Sequence, residues 1–389
     1  MDIKQEIAQR HSTLIEVRRD LHQHPELAME EVRTAGIIAE RLRASGLEVR
    51  TGVGNTGVVG VLRGSHPGKT LAIRADIDAL PVQEENDLPF KSQVPGKMHA
   101  CGHDGHVAIG LTVADILAQH RDQLHGNVKF LFQPAEERIG GAQPMIEDGA
   151  LKNPDVDAVI GLHLINNLPV GQVGVRAGAT FASADAFTIR VLGRGGHGAM
   201  PNLSVDPILA AGHILVALQS LISREISPFN PAVVTIGSIH GGTAFNIIPD
   251  VVELQGTLRT FSDDDRDHLE KRIKALTENV AASLRASVEV ETTRGCPACV
   301  SDEGMAALVQ RAAAETVGAN NVRSDQMTTG SDDMAFFLNA VPGCYFVVGT
   351  QNKALGCDAP HHSARFKIDE AGLPVGVEVM VRAALDYLG

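Results

Sequence analysis

The densest group of side chains able to do chemistry is Cys101-Gly102-His103-Asp104-Gly105-His106. A thiolate and an imidazole two residues apart can reach one metal centre, and the glycines allow a tight backbone path. Standing alone, so short a motif is better explained as a helix-capping loop with solvated histidines. Four further places carry similar groups. Gln133-Pro134-Ala135-Glu136-Glu137 follows an apolar run. Buried neighbouring carboxylates there would repel each other and rise in pKa, a conflict that a cation resolves with one as ligand and the other handling protons. By itself the pair reads as a solvated loop. Gly161-Leu162-His163 closes another apolar run, and Ala75-Asp76-Ile77-Asp78 a third. Pro360-His361-His362-Ser363 adds two histidines that face different ways. Only one of them is expected to bind metal, and spacing does not choose between them.

Several apolar strands and one helix start thus deliver metal-capable groups at the same kind of place, where open α/β sheets bind their ligands. That convergence favours a metal site over separate accidents. Cys, His and Glu donors suit divalent transition ions such as Zn²⁺ or Mn²⁺, with Ni²⁺ or Co²⁺ also possible, over Mg²⁺ or Ca²⁺. The donors exceed the four of a structural zinc, so two ions sharing a water fit better. Such a pair activates water and polarises a carbonyl, the logic of amide hydrolysis, with Glu136 carrying the proton to the leaving amine.

The elements that must position these groups read as α/β. Helical spacing covers 3–24 and 30–45, strands are expected at 57–63, 70–75, 127–133 and 156–163, and a helix at 105–120. This predicts a mostly parallel sheet covered on both faces. From 185 the order is strand 185–193, helix 205–223, strands 232–240 and 248–260, helix 263–285 and strand 287–293, the βαββαβ order of a ferredoxin-like unit. The α/β texture then resumes with helix 302–317, a short helix at 331–339, strand 343–348 and helix 369–388. The expected organisation is a discontinuous metal-binding α/β catalytic domain, 1–183 and 294–389, interrupted by an inserted domain at 184–293.

The 389 residues include 47 acidic and 34 basic positions, a formal charge of −13. That sign disfavours phosphate backbones, so no nucleic-acid partner is expected. The charged beginning Met1-Asp2-Ile3-Lys4-Gln5-Glu6 lacks the apolar core of a secretory signal. No run of about 18 apolar residues suggests a membrane span. Five scattered cysteines do not form a disulfide pattern and suit a reducing cytoplasm. Gly193-Arg194-Gly195-Gly196-His197-Gly198 imitates a dinucleotide fingerprint, but Pro201 and Pro207 delay the helix it requires. Gly64-Ser65-His66-Pro67-Gly68-Lys69-Thr70 is one residue short of a P-loop and reads as a turn. Cys296-Pro297-Ala298-Cys299 lacks a thioredoxin-like setting.

Together CGHDGH (101–106), QPAEE (133–137), GLH (161–163), GGHGAMP (195–201) and HHS (361–363) resemble the M20 metallopeptidase family, in its branch of aminoacylase-like, hippurate and auxin-conjugate hydrolases. The resemblance spans the chain. It implies Cys101, His103, Glu137, His163 and His362 as metal ligands, Cys101 bridging, with Glu136 as general base and Asp78 orienting a catalytic group. The choice of His362 rests on its alignment ahead of Phe366. The inserted domain would act as a lid and commonly dimerises in the family. It would bring His197, from the same or a partner subunit, to the scissile carbonyl, while Asn246 and Arg259 grip a substrate carboxylate, a task suited to the guanidinium fork. Two departures stand out: Gly330-Ser331-Asp332-Asp333-Met334, where the family has Phe after its acidic pair, and Ala364 where it commonly has Pro. The implied activity is hydrolysis of N-acyl amino acids. Alternatives are a dipeptidase, an N-acetyldiaminopimelate deacetylase, or an inactive scaffold protein.

Overall fold

The computed structural model describes all 389 residues. The chain runs α1 (Ile3–Gln23), α2 (Val32–Ala44), β1 (Glu48–Val53), β2 (Gly57–Arg63), β3 (His66–Asp76), α3 (His103–Gln119), β4 (His125–Gln133), α4 (Ala142–Glu147), β5 (Ala158–Pro169), β6 (Val173–Gly174) and β7 (Gly178–Phe181). It continues with β8 (Asp185–Leu192), β9 (Gly196–His197), α5 (Pro207–Ser220), β10 (Ala232–Gly241), β11 (Ile247–Ile248), β12 (Val251–Thr260), α6 (Asp263–Ser283) and β13 (Ser287–Arg294). Last come β14 (Cys299–Ser301), α7 (Glu303–Val317), β15 (Val322–Arg323), α8 (Met334–Ala340), β16 (Gly343–Gln351) and α9 (Gly372–Leu388).

Two compact units emerge, one of Met1–Thr180, Val300–Met327 and Asp332–Gly389, the other of Phe181–Cys299 with Thr328–Ser331. The second is wider than the expected 184–293 and takes in four residues from far along the chain.

The first unit holds a sheet in the order β1-β2-β4-β3-β5-β16-β6-β15. Its centre, β4-β3-β5-β16, is parallel, while β1, β2 and β6 pair antiparallel with their inner neighbours. Burial explains the unbroken apolar runs: all of β2 except Arg63 is buried, as is all of β16 except Gln351. Segment 64–70 is not the simple turn its Gly and Pro content suggests. Strand β3 already begins at His66, and β4 lies between β2 and β3 in the sheet. Helices α1, α3 and α9 pack together in one large core that includes Leu14, Leu21, Val107, Leu117, Val377 and Val381. Helix α3 is buried along nearly its whole length, so it shows no clear amphipathic stripe.

The second unit is a four-stranded antiparallel sheet, β10-β12-β8-β13, with α5 and α6. Asp206 caps α5 through the N–H groups of Ile208 and Leu209, and Ser262 caps α6 through that of Asp265. A π turn at Leu221–Glu225 extends α5. The resulting Pro207–Glu225 helix is long and apolar enough to match a membrane span by composition, contrary to the sequence reading. Its Ala210, Ala211, Ile214 and Leu218 are nevertheless buried in this unit's own core.

Candidate metal centre

The segments singled out for their chemistry converge within the first unit. Cys101, just before α3, places its Sγ 3.6 Å from His163 Nε2 of β5 and 3.6 Å from His361 Nδ1. The donor atoms of Cys101, His103 and His163 lie within 4.8 Å of one another, as do those of Cys101, Glu137 and His362 and those of His103, Glu136 and Glu137. These overlapping triads unite Cys101, His103, Glu137, His163 and His362, with Glu136 beside them.

Local structure explains the convergence. Gly102, at φ 95°, turns the chain from Cys101 into the first turn of α3. Gly105 lets that turn meet β5, since a Cβ there would lie 2.5 Å from Leu164 Cδ1. His163 is not at a strand end as its sequence suggested, because β5 runs on to Pro169. Its pairing with β3 stops at Arg74↔Gly161, two residues earlier. The glutamates sit in a tight turn after β4, flanked by Ala135 and Ile139, both left-handed at φ 52°. His362 is left-handed too, at φ 63°, with its N–H donating to Ala100 O.

Hydrogen bonds sort the histidines. His103 and His163 each donate Nδ1–H to a backbone carbonyl, of Asp78 at 2.9 Å and Leu164 at 2.8 Å. Their Nε2 lone pairs face the cluster, the arrangement by which outer partners orient metal-binding histidines. His106 has both nitrogens engaged: Nδ1 donates to Asp76, and Nε2 accepts from Leu164 N–H. His361 Nε2 accepts from Asn166 N–H at 3.4 Å, which puts its proton on Nδ1, the atom that faces Cys101. His362, with Nε2 3.3 Å from Glu137 Oε2, is the member of the pair with a nitrogen to offer. Phe366 lies against the His361 ring, not that of His362.

Asp78 is buried, and its carboxylate accepts the backbone N–H groups of Glu136 and Glu137, both at 3.1 Å. It therefore holds both glutamates and, through its carbonyl, His103. Asp104 turns away to a separate buried network with Arg18 and His22.

The electrostatics call for a cation. Burial first, then Asp332 and Glu137, pushes the Glu136 carboxyl well above its ordinary range. Burial raises Glu137 to about 7. Burial, aided by Glu137, also drives the Cys101 thiol well up. Burial opposes charging His103, but Asp76 and Asp78 outweigh it and raise its pKa. Two buried atoms, His103 Nε2 and Glu137 Oε1, have no hydrogen-bond partner and stand 4.0 Å apart. Such orphans are costly unless something fills the gap between them, and mixed S, N and O donors suit transition ions. The residues fit a divalent metal pair.

The sequence reading named Asp76, Asp332 and Asp333 but passed over the buried arginine that joins them. Arg74, fully buried in β3, pairs with Asp76 at 2.6 Å, Asp332 at 3.0 Å and Asp333 at 3.1 Å. Tyr345 donates its hydroxyl to Asp332. Register could have revealed part of this, since Arg74, Gly161 and Tyr345 form one row across the sheet.

His197, Asn246 and Arg259 belong to the second unit. His197 and Asn246 adjoin on the β9–β11 ladder: Gly198 N donates to Asn246 O, and His197 Nδ1 accepts from Ala199 N–H. Both side chains are exposed. Arg259, on β12, donates to Ser331 Oγ at 3.0 Å.

Comparison with known proteins agrees with this picture. Residues 72–386 match the model of peptidase family M20/M25/M40. Thermostable carboxypeptidase 1 of Saccharolobus solfataricus is 41% identical over 96% of this chain and 95% of its own. N-acetylcysteine deacetylase of Bacillus subtilis is 41% identical over 97% of both chains. The crystal structure of the Bacillus subtilis YXEP protein, described as a dinuclear metal-binding peptidase of the M20 family, superposes with a TM-score of 0.85 at 35% identity, covering 98% of this chain and 99% of that one. A donor cluster built for two cations and likeness along the whole chain lead to one assignment: the chain belongs to peptidase family M20/M25/M40, as a metal-dependent amidohydrolase.

Proposed function

We propose that the chain hydrolyses the amide bond of small N-acyl amino acids, releasing a carboxylate and a free amino acid. The observation that carries the chemistry is the overlap of three donor triads on Cys101, His103, Glu137, His163 and His362 around two orphaned buried atoms. In this reading those five residues would hold the metal pair. When bound, such ions would lower the pKa of a water and polarise the amide carbonyl. The chain's own groups do the rest. Glu136, raised in pKa and beside the donors, accepts the proton of the attacking water and returns it to the departing amine. Asp78 fixes the glutamates through their N–H groups. Mn²⁺ or Zn²⁺ are the ions we assign, on donor chemistry.

The second unit supplies the groups assigned to the substrate, with His197 for the scissile carbonyl and Asn246 and Arg259 for the carboxylate. We also place self-association on this unit, where Ile208, Leu209 and Val216 of α5 and Ile239 of the edge strand β10 are exposed. The N-acetylcysteine deacetylase relative supports an N-acyl substrate. The carboxypeptidase relative, equally similar, favours a second reading in which peptides are cleaved. Purified protein loaded with Mn²⁺ or Zn²⁺ should be assayed with N-acetyl amino acids, hippurate and dipeptides, with and without chelator. Chelator-sensitive turnover of the N-acyl compounds is expected. Turnover of dipeptides alone would establish the second reading instead.

A further inference from the structure

The turn that carries Glu136 and Glu137 is closed at both ends by one carboxylate outside the donor cluster. Asp333 Oδ1 accepts from Gln133 Nε2 at 2.6 Å, where the turn begins. Its Oδ2 accepts the backbone N–H groups of Gly141 at 3.2 Å and Ala142 at 3.0 Å, where the turn ends. The two ends meet so closely that a Cβ on Gly141 would lie 1.6 Å from Pro134 O. Arg74 completes the closure, its Nη2 donating to Asp333 Oδ1 at 3.1 Å and its Nε to Gln133 Oε1 at 2.8 Å. Between these ties lie the left-handed Ala135 and Ile139, conformations that persist only where the surroundings enforce them.

Asp332, Asp333 and Glu136 bring carboxylate oxygens within 4.8 Å of one another, an arrangement that could itself hold a cation. The hydrogen bonds argue otherwise. Asp332 accepts from Arg74, Met334 N–H and the Tyr345 hydroxyl, and Asp333 accepts from four donors. Their oxygens are committed to the protein.

We propose that Asp333, seated on Arg74, is a positioning residue that clamps the 134–141 turn and thereby sets Glu136 relative to the metal-ligand donors. This rests on the reading of Glu136 as general base. Asp333→Asn keeps the shape but turns an NH₂ group toward donors on one side or the other, so one end of the turn loosens. Because a small misplacement of a catalytic group can cost up to about a hundredfold in rate, kcat should fall about tenfold or more, with KM and metal content within about twofold. In a Glu136→Gln background the same substitution should change the residual rate by less than about twofold, since both act through one carboxylate. Gln133→Met removes the entry tie together with the acceptor of Arg74 Nε, and leaves the two hydrogen bonds at the exit in place. It should lower kcat several-fold, and it carries the test if Asp333→Asn does not fold by thermal melt. Equal loss from Asp333→Asn in both backgrounds, or metal content falling in step with kcat, would overturn the clamp. An inactive Glu136→Gln enzyme beside fully active Asp333→Asn and Gln133→Met would overturn the clamp alone. Glu136→Gln with near-normal turnover would remove the base assignment, and the clamp's purpose with it.

Discussion

Replacing Cys101 with serine tests the proposed sulfur donor through protons as well as through affinity. The thiol is buried, and burial together with the Glu137 carboxylate holds its pKa well above the ordinary thiol value. Without a cation it therefore keeps its proton from about pH 6 to about pH 8. A thiolate is the form that binds metal, so uptake must expel that proton. The sign follows: raising the pH tightens uptake and lowering it releases metal, by about tenfold, or 1.4 kcal/mol, per pH unit for each proton expelled. Serine keeps its proton in both states. Titration calorimetry with Mn²⁺ or Zn²⁺, in buffers of differing ionisation enthalpy, should count about one proton fewer for Cys101→Ser than for the wild type. Glu137, at about 7, titrates too and is hydrogen-bonded to the Cys101 thiol, so the counts are to be compared at about pH 8, where Glu137 is largely ionised in both proteins. Affinity should also fall by more than the roughly 10–100-fold associated with loss of an outer partner. Equal proton counts with equal affinities would refute the assignment of Cys101 as ligand.

Other expectations follow from the same geometry. Glu136→Gln should lower kcat by about 10²–10⁴ while metal content, read by elemental analysis, stays unchanged. Asp78→Asn leaves one of the two glutamate N–H groups facing another donor, a cost of about 1–3 kcal/mol; a melting temperature lower by roughly 2–5 °C in metal-free protein would register it. His197→Ala should reduce turnover of N-acyl amino acids without altering metal stoichiometry, and unchanged kcat/KM would remove it from the substrate site. In the second unit, Arg266 holds the buried Asp185 carboxylate with two nitrogens. Arg266→Met should destabilise that unit by about 3–5 kcal/mol, because the acid stays buried without its cation, and chemical denaturation followed by circular dichroism would show it.

The site was legible where chemistry and local signals coincide. Cys101 and His103 at a glycine-turned helix start, and Glu136-Glu137 after an apolar strand, announce themselves by type and neighbourhood. The choice of His103 over His106, and of His362 over His361, depends on what each second ring nitrogen meets. Leu164 N–H and Asn166 N–H bear on that; spacing shows neither, and the sequence set His103 above His106 and His362 above His361 only through the family resemblance. The Arg74 cluster was hidden for a related reason. Arg74 and Asp333 are separated by 259 positions, and a lone Arg in an apolar strand carries no sign of its partners. Among the elements, β2 and β16 were plain because burial on both sides makes them continuously apolar. Strand β1 was missed because five of its six residues are not buried, and β6 and β15 are two residues long, too short for any periodicity. The inner βαββαβ unit was readable from alternating strands and two capped helices.

The interruption of the first unit's chain has a consequence for biosynthesis. Strand β5 pairs with β16, Val159 beside Gly343, so these neighbours leave the ribosome with the whole second unit between them. At about 5–20 residues per second that separation lasts on the order of ten seconds or more. Four of the five proposed donors are made before the gap and His362 after it. A nascent chain therefore waits with an open sheet edge and an incomplete set of the proposed donors until β16 and His362 have been made.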